Sequence, residues 1–245
     1  MIDEHHEAQK EEKQAVAVRI GRDLKLAAGL RRNAAADPVR AGERDALRQW
    51  QADRLARTYP NLLADSRYGP AAAFFLSDLY GPKDFSARDS EIERILPMLV
   101  KALPLSGLST LSLAIELDAV SEDLDARMVD TLREYGRISH IDDSAYAEAY
   151  RTVGRRSARL RQISLIVETG EALEALARKP LVAGALTLMR GPAHAIGLGE
   201  LHDFLERGFT TFKRMGRATE FLERIEAKES ELLESWLKGE TPVLD

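Results

Sequence analysis

The sequence predicts an all-α fold: an irregular multi-helix bundle of roughly ten helices with no significant β-sheet. Two observations carry this. Apolar residues recur at spacings of three and four along nearly the whole chain, which lines them up on one stripe of a helix. Clusters of β-branched residues with a period of two, the mark of a half-buried strand, are absent.

The first helix is expected over 7–32. It starts polar, from Glu7 to Gln14, and then places Val16, Ile20, Leu24 and Ala27 or Ala28 on one side. Its polar beginning suggests an arm, with residues 1–14 frayed. A second helix fits 41–58, with Leu47, Trp50 and Leu55 inward and Tyr59-Pro60 as its stop. Residues 70–80 form the most hydrophobic window, opened by Pro70 and closed by Gly81-Pro82. Ser86 followed by Asp89 resembles a capping box that opens a helix through Ile92, Leu99 and Leu103, with Pro97 expected to kink it. Another helix covers 107–119. Ser121 then caps one carrying Leu124, Met128 and Leu132, which ends near Gly136.

From Asp143 to Thr169 the spacing of Tyr146, Tyr150, Val153, Ser157, Leu160, Ser164 and Val167 predicts one long helix with a coiled-coil-like seam. Short helices follow at 171–178 and 180–190, and 191–199 reads as irregular. Helices at 200–215 and 218–238 close the chain, bearing Phe204, Phe209 and Phe212, then Phe221, Ile225, Leu232 and Trp236. No linker rich in Ser, Gly or Pro divides the chain, so one helical domain over 1–245 is expected, with a soft division near 136–143.

Composition excludes several chemistries. The 245 residues contain no cysteine, so there is no disulfide framework, thiolate metal site or cysteine nucleophile. No apolar run approaches the ~18 residues that span a bilayer. The start Met1–His6 lacks the basic segment and apolar core of a secretory signal, so a cytoplasmic location is expected. A net charge of −5 argues against general nucleic-acid binding, which needs a basic surface. Walker, nucleophile-elbow and His-Glu-x-x-His motifs are missing, and no Glu-x-x-His pair exists for a di-iron bundle. No catalytic residue and no metal site is assigned.

Three features stand out. Arg151, Arg155, Arg156, Arg159 and Arg161 crowd eleven residues without an acid among them. On one continuous helix Arg151, Arg155 and Arg159 share a face, which repels itself unless an anion or acidic partner lies opposite. The alternative is neutralisation by Asp118, Glu122, Asp123 or Asp125. Second, Phe74, Phe75 and Tyr80 with Asp78 and Asp84 either wall a pocket or belong to a buried central helix; apolar runs favour the buried helix. Third, His194 and His202 lie near Phe204, Phe209 and Phe212, so either is a candidate haem ligand in an apolar pocket. His202 and Glu206, four apart, suit a surface hydrogen bond better. Gly197-Leu198-Gly199 reads as a turn, and secondarily as a helix-start anion site.

The segment Phe74–Asp89, with its Phe-Phe-Leu-x-Asp-Leu-Tyr-Gly-Pro-x-Asp pattern, resembles a family of uncharacterised bacterial helical proteins, as do Leu188–Ala193 and Asp203–Phe209. The resemblance spans most of 45–235 and implies no activity. The expected function is therefore a binding or regulatory module, not an enzyme, that recognises an anionic ligand or acidic protein partner through Arg151, Arg155 and Arg159. The alternative is a hydrophobic-pocket protein holding haem or a similar cofactor. A homodimer through 7–32 or 218–238 would use the two amphipathic helices.

Overall fold

The computed structural model describes the backbone of residues 2–75 and 86–242 and the side chains of 7–75 and 90–242. Among the described residues there are eleven α-helices and no strand. They are α1 (Ile2–Ala35), α2 (Pro38–Thr58), α3 (Pro60–Ala64), α4 (Gly69–Phe74), α5 (Ser86–Ala102) and α6 (Leu105–Glu134). After the turn at 135–142 come α7 (Asp143–Val153), α8 (Arg156–Ala177), α9 (Pro180–Ala195), α10 (Gly199–Met215) and α11 (Thr219–Lys238).

Stripe spacing sets what each helix buries. In α1, Val16, Ile20, Leu24 and Ala27 are buried along α6 and α5, as their spacing requires. Residues 2–14, expected to fray, continue α1 as helix. α2 begins at Pro38, not residue 41, because the Asp37 side chain accepts from the Val39 N–H at 2.9 Å and caps it. Pro97 sits inside α5 without ending it.

Two further boundaries differ from the sequence expectation. α6 runs unbroken through Ser121, whose hydroxyl accepts from Gln162 Nε2 at 2.8 Å instead of capping a new helix. The continuous helix over 143–169 breaks at Gly154-Arg155, and both halves are shorter or longer than the seam implied. Gly154 has φ +60° and ψ −108°, a conformation that L side chains avoid, and Arg155 follows at φ +54°. Beyond that break α8 absorbs the short helix expected at 171–178. α9 similarly runs through Gly191-Pro192 to Ala195, so irregular backbone is confined to Ile196–Leu198.

Three apolar clusters form the core, and α6 contributes to all of them. Leu165, Phe212, Phe221 and Leu222 centre one, joined by Leu117. Leu47, Met128, Leu132, Tyr146, Leu232 and Trp236 form the next, and Ile20, Leu24, Leu108 and Ile115 the third. Each such aliphatic side chain contributes about 1.5–3 kcal/mol on burial. Residues on both sides of the 135–142 turn share the second cluster, so that turn does not divide the core.

The apolar stripes of α1 and α11 are spent within the chain, on α6 and on α7 and α8 respectively. Exposed large apolar side chains gather instead on α9, where Leu181 and Leu188 are 86% and 80% exposed. No described helix is long and apolar enough to cross a membrane.

Candidate functional site

The arginine cluster is dismembered by the Gly154-Arg155 break. Arg151 ends α7 and lies against Gly239, Arg155 occupies a left-handed position between helices, and Arg159 enters the first turns of α8. The three therefore do not share one helix face. The outward arginines meet carboxylates of the same chain. Arg155 is 3.8 Å from Asp123, Arg156 2.6 Å from Glu234, and Arg161 2.8 Å from Glu116 and 2.7 Å from Glu168. Asp118 and Glu122 serve other arginines: Glu122 takes Arg31, Arg44 and Arg48, and Asp118 takes Arg31.

Arg159 is different. It is 4% exposed, its Nε donates to the Gly154 carbonyl at 3.3 Å, and its guanidinium carbon lies 3.4 Å from the centre of the Tyr150 ring. Its Nη2 is buried without a hydrogen-bond partner, and among the described residues no carboxylate lies within ion-pair distance. An unpaired buried guanidinium is costly, because burial strips the water that stabilises charge.

That side chain lines a cavity of about 90 Å³ among α2, α3, α4, α6, α7, α8 and α11. The spacing of α2 carries Arg54 inward: Leu47, Trp50, Arg54 and Thr58 follow steps of three and four, so a charge occupies an apolar stripe. Arg54 Nη1 donates to Glu229 Oε1 at 2.6 Å, and the Tyr59 hydroxyl donates to the same oxygen at 2.7 Å. Arg54 Nε, like Arg159 Nη2, has no partner. Tyr146, Tyr150 and Trp236 wall the cavity, with Tyr150 and Trp236 centroids 4.7 Å apart and Tyr146 stacked on Trp50 at 4.0 Å. Asp125 enters from α6 and accepts from Gln51 Nε2 at 2.8 Å.

Burial is the largest influence on the titration of the groups around the cavity. Burial pushes the Asp125 carboxyl up, against the opposing pull of Arg48 and Gln51. Burial likewise raises Tyr146 and Tyr150, so both phenols keep their protons as donors, although Arg159 pulls the other way. Burial works against the charge of Arg54, but Glu229, Tyr146 and Tyr59 together outweigh it and the guanidinium stays firmly charged. Arg54 is balanced by Glu229; Arg159 has no such balance.

The remaining predicted residues lie elsewhere. Asp78, Tyr80 and Asp84 fall outside the described residues. Phe74 and Phe75 are buried: Phe74 packs on Phe204 at 5.6 Å and Phe75 on Phe212 at 6.2 Å. His202, expected on the surface beside Glu206, is 5% exposed and donates from Nε2 to the Leu186 carbonyl at 2.8 Å. Glu206 instead approaches Arg190 at 3.9 Å. His194 lies 3.0 Å from Asp203, whose carboxyl is held below its usual range chiefly by that hydrogen bond. The start of α10 receives the Glu91 carboxylate, which accepts from the Leu201 N–H at 3.0 Å, so the chain itself occupies that helix terminus.

The family model for a domain of unknown function (DUF8198) matches residues 30–242. The chain belongs to that family. The match agrees with the expectation of an uncharacterised family, and it takes in α2 through α11. A DUF8198 domain thus includes every helix that lines the cavity and leaves out most of α1. No curated protein and no solved structure matches the chain.

Proposed function

We propose that this protein is a binding module for a small organic anion, held in the cavity with its carboxylate on Arg159. The observation that carries the proposal is the buried guanidinium of Arg159, which has an unpartnered Nη2 at a cavity wall. Tyr150 fixes the guanidinium plane by stacking, and Gly154 anchors Nε, so Nη2 is presented without further ordering. Charge-assisted hydrogen bonds to such a donor contribute about 1.5–3 kcal/mol each. Trp236, Ile163 and Ile225 offer an apolar surface to the rest of the ligand.

Size limits the ligand. The cavity of about 90 Å³ is smaller than the ~150 Å³ that accommodates the six carbons of benzene, which points to roughly four or five non-hydrogen atoms. Short monocarboxylic acids fit this description; Arg151 and Arg155 do not line the cavity and take no part. The Gly154 contact links the ligand to the α7–α8 junction, which gives binding a route to a conformational signal.

Isothermal titration calorimetry with acetate, propionate, butyrate, benzoate and inorganic phosphate tests the proposal. Acetate and propionate are expected to bind more tightly than butyrate, benzoate or phosphate, and Arg159→Met is expected to abolish the heat. Equal binding by Arg159→Met, or no binding by any acid, overturns it.

A further inference from the structure

His194 ends α9, and His202 and Asp203 sit in the first turns of α10. The tight turn between them, with Gly197 at φ +72°, folds the two helices back on each other and brings the imidazole centroids to 6.0 Å. The Leu186 carbonyl can only accept, so His202 Nε2 carries the hydrogen. In the neutral ring Nδ1 is then a bare lone pair. That nitrogen is buried, has no hydrogen-bond partner, and faces Asp203 Oδ1 at 3.6 Å. A lone pair aimed at a carboxylate oxygen is unfavourable unless a cation lies between them.

The geometry points to a metal site at this place: His202 Nδ1, His194 Nε2 and Asp203 Oδ1 hold one divalent ion of the zinc class. One donor atom from each residue lies within 4.8 Å of the others. Tetrahedral zinc with bonds of about 2.0–2.2 Å needs ligand atoms roughly 3.3 Å apart, and the His194–Asp203 and His202–Asp203 separations are 3.0 and 3.6 Å. Two imidazoles and a carboxylate suit zinc better than calcium or magnesium, which prefer all-oxygen shells. The Leu186 carbonyl supplies the outer hydrogen bond that orients a metal-bound imidazole.

Binding replaces the hydrogen between His194 Nε2 and Asp203 with the metal, and His194 shifts to its Nδ1–H tautomer. His194 and Asp203 are about half and one-third exposed, so a fourth position opens to solvent for a water or a substrate. Arg190 is the neighbouring positive charge near Asp203, and its guanidinium approaches Glu206 at 3.9 Å. Gly199 makes room for the site, since a Cβ there would stand 2.8 Å from His194 Nδ1.

Titration of the full chain with Co²⁺, followed by its visible ligand-field bands, and calorimetry with Zn²⁺ test the site. One equivalent is expected, with the intense bands of four-coordinate cobalt. His194→Gln and Asp203→Asn, both at partly exposed positions that tolerate an isosteric change, should each weaken binding by more than about tenfold. Gly199→Ala should weaken it by crowding His194, and circular dichroism checks that each variant remains folded. His5→Ala/His6→Ala, which removes the terminal histidine pair, should leave the titration unchanged. Absence of cobalt bands, binding insensitive to His194→Gln and Asp203→Asn, or loss of binding with the terminal pair overturns the assignment.

Discussion

Replacing Arg159 with Met separates a guanidinium kept for a ligand from one that merely holds the fold together. The substitution removes the stacking on Tyr150, about 2 kcal/mol in a desolvated setting, and one hydrogen bond of about 0.5–1.5 kcal/mol to Gly154. It also removes a buried charge whose Nη2 is unpartnered, a relief of several kcal/mol. Met fills the space with a flexible apolar chain. These contributions nearly cancel, so ligand-free stability should change by no more than about 1 kcal/mol, or roughly 2–4 °C for a chain of this size. Arg54→Met is the internal comparison: it strands Glu229 and should cost about 3–5 kcal/mol. Thermal unfolding with and without propionate completes the assay. At one hundred times Kd the acid should stabilise the natural protein by about 2.7 kcal/mol, hence roughly 5–11 °C, and leave Arg159→Met unmoved. If Arg159→Met loses as much stability as Arg54→Met, or keeps the propionate shift, the reasoning fails.

Three further outcomes follow from the same geometry. Trp236→Phe enlarges the cavity and should favour butyrate over acetate by about 0.8 kcal/mol per methylene accommodated, roughly fourfold in the affinity ratio measured by calorimetry. Gly154→Ala forces a side chain into a conformation it resists and should lower unfolding stability by about 1–3 kcal/mol in urea titrations. Asp125 sets a pH dependence: its folded carboxyl holds the proton to higher pH than an unfolded aspartate, so the folded state binds more protons in that window. Stability therefore falls as pH rises from about 4 through the raised value, and Asp125→Asn should flatten that part of the curve of unfolding free energy against pH.

The helical stripes were legible because spacing alone decides which side of a helix is apolar. Val16, Ile20 and Leu24, and Phe221, Ile225, Leu232 and Trp236, are buried as their spacing demands. The α7–α8 break was not legible, since the seam from Tyr146 to Val167 continues in register across Gly154 and only the backbone angles reveal the interruption. That one break decides the fate of the arginines, because it turns Arg159 inward while leaving Arg151 and Arg155 outside. Arg54 did leave a trace, as a charge at a stripe position after Leu47 and Trp50. The pairing of His194 with His202 and Asp203 left almost none: helix-face spacing linked His202 to Glu206, whereas the contact is made across the turn at Ile196–Leu198.

An anomalous-scattering map from crystals soaked in bromide tests the anion site most directly, because bromide marks any place where a small anion is held by a guanidinium. The expected result is a peak in the cavity within hydrogen-bond distance of Arg159 Nη2, absent from crystals of Arg159→Met. Bromide found only at surface arginines such as Arg155 and Arg156, with ordered water beside Nη2, would contradict a binding function for the cavity.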